Sequence, residues 1–348
     1  MTSIHDRQIT HPSAWKSSQI GGKEGLMHRF GPEHAAALME LVDRTRHLEP
    51  SEVTRAQFDH PLINDLMKGA REEIMNGRGA IILAGLDMET VSVEDYGRLY
   101  WGLGTHLGTG VIQSAKGDRI GYVQKEENNP TGRGYMLDIE LRSHTDFHEI
   151  LSLAAFRKAA RGGESGIVSS LAIHNAMLQE RPDQLKTLYE GFWHGYALPE
   201  HLTQEKVPIF CNVDGVVSCF AHLLFMISAS KQMGVPFPEE LTEALNTFQE
   251  IAHRPEIRAD FMLEPGEMLF WHNFQMLHSR QAFTNEGEHK RLLLRLWLHT
   301  SPQRPMHPEF TNRARLMDEL HVTAAPAIDY TKLGVGVPPE PVREKEPV

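Results

Sequence analysis

Three ionisable side chains stand at alternate positions in the segment His144-Thr145-Asp146-Phe147-His148-Glu149-Ile150. On an extended chain, residues two apart project to one face, which would put His144 and Asp146 side by side as metal donors. His148 would share that face. A pocket wall suits it better than a fourth donor, because a fourth ligand would take up a coordination position needed for chemistry. Among 20 histidines about one His-x-Asp triplet arises by chance, so the pair counts only with partners elsewhere in the chain.

Those partners lie downstream. Residues 266–283, GEMLFWHNFQMLHSRQAF, read as a strand, a turn and a second apolar stretch ending at His278. Residues 290–298, KRLLLRLWL, read as a strand with Arg291, Leu293, Arg295 and Trp297 on one face and Leu292, Leu294, Leu296 and Leu298 on the other. Such a strand is buried on both sides. A buried guanidinium without an anion costs several kcal/mol. A protein carboxylate or an anionic ligand must therefore meet these arginines, and a carboxylate matches the guanidinium fork bidentately. Two histidines and one carboxylate on one face of an octahedral iron leave three positions open, enough for a 2-oxo acid and O2. The same donors also suit the zinc of a hydrolase, which would leave Arg291 unexplained. A binder without catalysis is the third reading.

The elements that must position these residues fall in two groups. Residues 32–46 and about 60–77 have the period of amphipathic helices, 79–86 (GAIILAGL) is a buried strand, and 92–104 is a helix with Ser92 as cap. Glycines in GLGTHLGTG, residues 102–110, follow a helix. The dinucleotide fingerprint follows a strand, so these read as turn residues. From Arg119 onward short apolar runs alternate with turn signals, interrupted by helical insertions at about 170–191 and 238–253. The fold expected is mainly β, a sandwich or jelly roll flanked by helices, in one domain over 1–348. Its core covers about 79–300, its N-terminal helices about 30–76, and an extended tail about 327–348. The two cysteines fall in a hairpin turning at Asp214-Gly215, pairing Cys211 with Ser218 and Phe210 with Cys219, so no disulfide is expected.

A formal net charge of −11 argues against a nucleic-acid partner. No run approaches the roughly 18 apolar residues of a membrane span. The first residues lack a basic-then-apolar signal, so a cytoplasmic location is expected.

The segments 143–170 (SHTDFHEILSLAAFRKAARGGESGIVSS), 264–283 (EPGEMLFWHNFQMLHSRQAF) and 291–298 (RLLLRLWL), in this order and spacing, resemble the taurine dioxygenase and clavaminate synthase-like family of Fe(II)/2-oxoglutarate-dependent oxygenases, and the resemblance extends over about residues 15–300. It implies a double-stranded β-helix core and a dioxygenase that uses Fe(II), 2-oxoglutarate and O2 and releases succinate and CO2. It implies His144, Asp146 and His278 as iron ligands and Arg291 as the anchor for the distal carboxylate of 2-oxoglutarate. Ser165, in GGES, stands where the family often has a threonine after GGD whose hydroxyl assists that carboxylate. Arg295 matches a position that contacts an acidic group of the substrate in several members. The substrate implied is a small molecule with a carboxylate or amino-acid-like group, most simply hydroxylated; desaturation, cyclisation or oxidative cleavage in natural-product metabolism is the alternative, and a homo-oligomer is compatible with either.

Other residues are expected near the site. Gln113, Gln124 and Tyr135 are substrate-contact candidates, and Phe147 and Trp297 are core residues before they are stacking ones. Arg280 has a structural role beside an acidic neighbour, and His272 and Asn273 either make a turn or support the ligands. Residues 124–140 form a polar surface loop or a lid.

Overall fold

The computed structural model describes residues 3–114, 117–126 and 134–322. The tail expected at 327–348 lies outside the described residues.

Short α1 (Ser17–Ile20) and β1 (Met27–Arg29) lead into α2 (Pro32–Thr45) and α3 (Pro61–Met75). Each of these two helices has proline in its first turn, where the missing N–H costs nothing. Each buries one stripe, Leu38, Leu41 and Val42 in α2 and Ile63, Met67, Ala70 and Ile74 in α3. β2 (Ala80–Ala84) is buried along its whole length, as its unbroken apolar run requires. In α4 (Val93–Gly104) the Ser92 hydroxyl accepts the Asp95 N–H at 3.0 Å, the expected cap.

The next glycines along the chain are not turn residues. Gly102 and Gly104 are in the last turn of α4 and Gly110 is in β3 (Thr109–Gly110); none has a positive φ. What they provide is room. A Cβ on Gly102 would strike the Phe58 ring, one on Gly110 would strike the Trp101 indole, and one on Gly104 would come within 2.8 Å of Leu296. Composition alone does not separate a turn glycine from one needed for close approach.

The rest of the chain runs β4 (Gly121–Val123), β5 (Leu141–His144), β6 (Ile150–Arg157), β7 (Arg161–Gly162), β8 (Ser165–Ser169), α5 (Ser170–Glu180) and α6 (Pro182–Glu190). The hairpin β9 (Phe210–Val213) and β10 (Val216–Cys219) has the expected register, with Cys211 opposite Ser218, and both thiols are free and buried. Then come α7 (Leu223–Met233), α8 (Glu239–Ala252), β11 (Ala259–Phe261), β12 (Met268–His272), β13 (Met276–Arg280), β14 (Phe283–Thr284), β15 (Leu292–His299) and α9 (Pro308–Val322). The insertions at α5–α6 and α8 match expectation; α7 and α9 were not anticipated.

Two sheets carry the site. The larger has the order β1-β2-β12-β6-β15-β3 with β4 also on β15, and the smaller has the order β11-β8-β13-β5. β15 shows why both of its faces are apolar. Leu294, Leu296 and Leu298 pack against α2, α3 and α4. Leu293 and Trp297 turn inward, into one cluster with Ile167 and Met276 of the smaller sheet. A third cluster joins the far side of that sheet, through Val168 and Leu277, to α5, α6 and α8. The layers are thus helix, sheet, sheet, helix, and each buried leucine or isoleucine side chain contributes about 1.5–3 kcal/mol. No helix among the described residues is long and apolar enough to cross a membrane.

Candidate functional site

β5 and β13 pair antiparallel with His144 directly opposite His278, and their rings lie 4.2 Å apart. The strand stops there. Thr145 to Glu149 form a non-strand connection into β6, so Asp146 does not reach its place by strand alternation. Asn273, just past β12, holds it instead. The Asp146 N–H donates to Asn273 Oδ1 at 3.1 Å, and Asn273 Nδ2 donates to the Asp146 carbonyl at 2.9 Å. Asn273 thus combines the two roles open to it, lying in the turn between β12 and β13 and supporting Asp146. His272 makes a different contact, its Nε2 lying 3.3 Å from the buried Glu149 carboxylate.

The result is three donors around one point. Asp146 Oδ1 is 3.9 Å from His144 Nε2, and Oδ2 is 3.8 Å from His278 Nε2. These distances are too long for hydrogen bonds, yet a cation at about 2.0–2.2 Å from each atom fits between them. His144 Nδ1 lies 2.8 Å from the Arg142 carbonyl, which holds the proton on Nδ1 and leaves the Nε2 lone pair facing Asp146. Burial pulls His278 down to about 3, keeping it the neutral imidazole a metal needs. Burial alone would raise Asp146, but the basic groups around it, the charged Arg295 among them, outweigh it and place its carboxyl below the ordinary value. A pair of oriented imidazoles and a carboxylate are the donor set of a divalent metal. The residues present fit one.

Arg291, 3% exposed, precedes β15. Its guanidinium lies over the Phe283 ring at 5.3 Å and its Nη1 is buried without a hydrogen-bond partner among the described residues. Burial pulls it down to about 9, with Arg280 adding to the effect. Gly163 (φ +86°) lies against it, since a Cβ there would be 3.2 Å from Arg291 Nε. Two residues on, buried Ser165 pairs with Arg280 across β8 and β13. Arg280 itself is tied by backbone carbonyls, donating to Leu137 at 2.7 Å and Ile139 at 2.6 Å, and Asp138 is its acidic neighbour. These contacts fix residues 134–139 of the expected loop; 127–133 lie outside the described residues.

Arg295 gathers three more of the expected residues. Its Nε donates to Gln113 Oε1 at 2.7 Å, while Tyr135 and Trp297 lie 4.6 and 4.4 Å from the guanidinium. Gln113 Nε2 donates back to the Arg295 carbonyl and to that of Arg119, both at 2.8 Å. Gln124 is half-buried after β4, and no hydrogen bond among the described residues joins it to this group. Phe147 packs in the core against His222, Phe225 and Trp297.

His148 departs from expectation. Because the strand ends at His144, its ring does not share the face of the other two and instead meets Asp318 of α9. Sequence reading also missed His222, stacked on Phe147 at 4.7 Å with its Nδ1 buried and unpartnered. Its field reaches Asp146, and burial pulls it to about 4. The only signal would have been a lone histidine in the apolar run CFAHLLF.

The chain matches the family model described as "Taurine catabolism dioxygenase TauD, TfdA family" over residues 44–297. It is 29% identical to FR-33289 synthase of Streptomyces rubellomurinus, over 86% of this chain and 92% of that protein. It is 27% identical to the taurine hydroxylase-like protein SAT17 of Stachybotrys chartarum, over 83% and 79%. Among solved structures, asparagine oxygenase with Fe(II), 3-hydroxyasparagine and succinate superposes with a TM-score of 0.65 at 14% identity, covering 79% of this chain and 94% of that one. The non-heme iron oxygenase OrfP with Fe and alpha-ketoglutaric acid superposes at 0.59, also at 14% identity, covering 78% and 94%. These two likenesses show a shared mixed sheet-and-helix fold. The family match takes in the triad, Arg291 and Arg295 alike, and the chain belongs to the taurine catabolism dioxygenase TauD, TfdA family, oxidoreductases that use Fe(II), 2-oxoglutarate and O2.

Proposed function

We propose that this dioxygenase hydroxylates a small molecule bearing a carboxylate or amino-acid-like group, with His144, Asp146 and His278 holding the iron. Arg291, assisted by Ser165, takes the distal carboxylate of 2-oxoglutarate, and Arg295 takes the acidic group of the substrate. The single observation that carries the reading is the buried Arg291 Nη1 without a partner, since a desolvated guanidinium donor calls for an anion. When bound, iron and 2-oxoglutarate supply the oxidising chemistry, with release of succinate and CO2.

The protein's own residues orient and enclose. The Arg142 carbonyl aims His144, Asn273 holds Asp146, and Gln113, Tyr135 and Trp297 fix Arg295 as a fork for two oxygens. Phe147 and Trp297 line the inner layer and exclude water. The two facing sheets are read as the halves of a double-stranded β-helix, within one domain. The free, buried thiols of Cys211 and Cys219 fit a reducing compartment such as the cytoplasm. Hydroxylation is supported by relatives: the asparagine oxygenase structure contains 3-hydroxyasparagine, and an OrfP structure contains (3S)-hydroxy-L-Arg.

An anaerobic titration of the metal-free protein with Fe(II) and then 2-oxoglutarate tests the assignment. A weak visible charge-transfer band is expected only with both present, absent in Asp146→Ala and in Arg291→Ala at the same concentrations. A band of equal strength in Arg291→Ala would overturn the role given to Arg291. Succinate release over a panel of amino acids and carboxylates then tests the substrate class; stimulation by neutral compounds alone, unchanged in Arg295→Ala, would remove Arg295 from it.

A further inference from the structure

His148 lies two residues beyond Asp146 and is 1% exposed, yet among the described residues neither of its ring nitrogens completes a hydrogen bond. Its Nε2 is 3.3 Å from Asp318 Oδ1, and that oxygen is also buried without a hydrogen-bond partner. The two atoms are at ion-pair distance, but their geometry is not that of a bond. The other carboxylate oxygen, Oδ2, is hydrogen-bonded to His299 Nε2 at 3.0 Å, a bond that a cation would replace. The imidazoles of His148 and His299 meet edge to face, centroids 4.9 Å apart, and the three donor atoms all lie within 4.8 Å of one another.

We infer that His148, His299 and Asp318 form a second metal site, separate from the triad and suited to Zn2+. With bonds of about 2.0–2.2 Å, tetrahedral zinc sets neighbouring ligand atoms roughly 3.3–3.6 Å apart. The His148–Asp318 spacing of 3.3 Å already has that size, and the His299–Asp318 spacing of 3.0 Å must open by a few tenths of an ångström. Two imidazoles and one carboxylate are a zinc donor set, and water completes it. Access is available: the His299 side chain is 36% exposed and that of Asp318 27%, while His148 closes the inner side against Trp297. The three donors come from the connection after β5, the last residue of β15 and the C-terminal helix α9. A cation there ties α9 to the segment that carries Asp146, adding its binding free energy to the fold. A cation would satisfy His148 Nε2 and Asp318 Oδ1, which face each other at 3.3 Å without hydrogen-bond geometry.

Zinc content measured on the full chain after equilibration with excess Zn2+ and desalting decides the matter. Two ions per chain are expected in the unaltered protein, and one in His299→Gln and in Asp318→Asn. Asp146→Asn is expected to retain one. Zinc should raise the melting temperature of Asp146→Asn and fail to raise that of the same chain carrying His299→Gln. His299→Gln alters a side chain at the surface, so it keeps the test open if Asp318→Asn does not fold. A single ion that Asp146→Asn loses and His299→Gln keeps would overturn the proposal, as would a second ion indifferent to both His299→Gln and Asp318→Asn. A single ion that tracks His299 and not Asp146 would support this site and count against the triad's donor set, so the two assignments fail separately.

Discussion

Asn273 and Asp146 are joined by a reciprocal pair of hydrogen bonds, backbone N–H to side-chain oxygen at 3.1 Å and side-chain amide to backbone carbonyl at 2.9 Å. Asp146 thereby acquires a fixed position outside any strand. Asn273 acts on the donor set through the backbone of Asp146.

Asn273→Ala removes both bonds and leaves the connection after His144 free to shift. Residues that support metal ligands typically contribute 10–100-fold to affinity, so Fe(II) or Co(II) binding is expected to weaken by roughly that factor while the folded chain persists. Equal affinity in the variant would show that the triad holds its own geometry.

Arg291→Met separates stability from function. The buried guanidinium has an unpaired donor in the ligand-free chain, and replacing such a charge by an apolar side chain of similar volume is often neutral or stabilising by about 1–4 kcal/mol. The variant should melt no lower than the parent while losing 2-oxoglutarate binding. A clear drop in melting temperature without added ligand would mean that a protein carboxylate already meets Arg291.

Acid should destabilise the fold ahead of its carboxylates. Burial pulls His174 and His222 to about 4, against an ordinary 6.5. Between those values the unfolded chain binds protons at these sites and the folded chain does not, so stability falls as pH falls. Each imidazole removes about 1.4 kcal/mol per pH unit across that window. Chemical denaturation at pH 7 and pH 5 checks this; equal midpoints would mean the imidazoles gain protons or water in the folded state.

Gly102→Ala places a methyl against the buried Phe58 ring. Overpacking of this kind costs about 1–3 kcal/mol, which thermal melting resolves easily. Gly117, with open space around its Cβ position, serves as a comparison only for crowding, since its φ of +84° adds backbone strain. An unchanged melting temperature in Gly102→Ala would show that Phe58 can move aside.

What the chain's own periodicity determined is local. Alternation in residues 293–298 dictated a strand apolar on both faces, and the Asp214-Gly215 turn dictated the register of Cys211 and Ser218. Arg291 precedes the strand and a register shift between Leu292 and Leu293 separates it from Arg295, so the alternation expected to join the two arginines is interrupted. Candidates for the triad, Arg291 and Arg295 could be named because their types, order and spacing survive in one dimension. Tertiary structure decided the rest. His144 and Asp146 are neighbours because a strand ends at His144 and Asn273 captures the backbone of Asp146; strand alternation, which the spacing invited, plays no part. That same ending turns His148 away to Asp318, in a helix the apolar pattern did not announce. His222 reaches the site, and Gly102 meets Phe58, only after distant segments have packed. Sequence spacing encodes the repeat of a helix or strand, but which side chains meet across separate elements depends on where those elements stop and what they pack against.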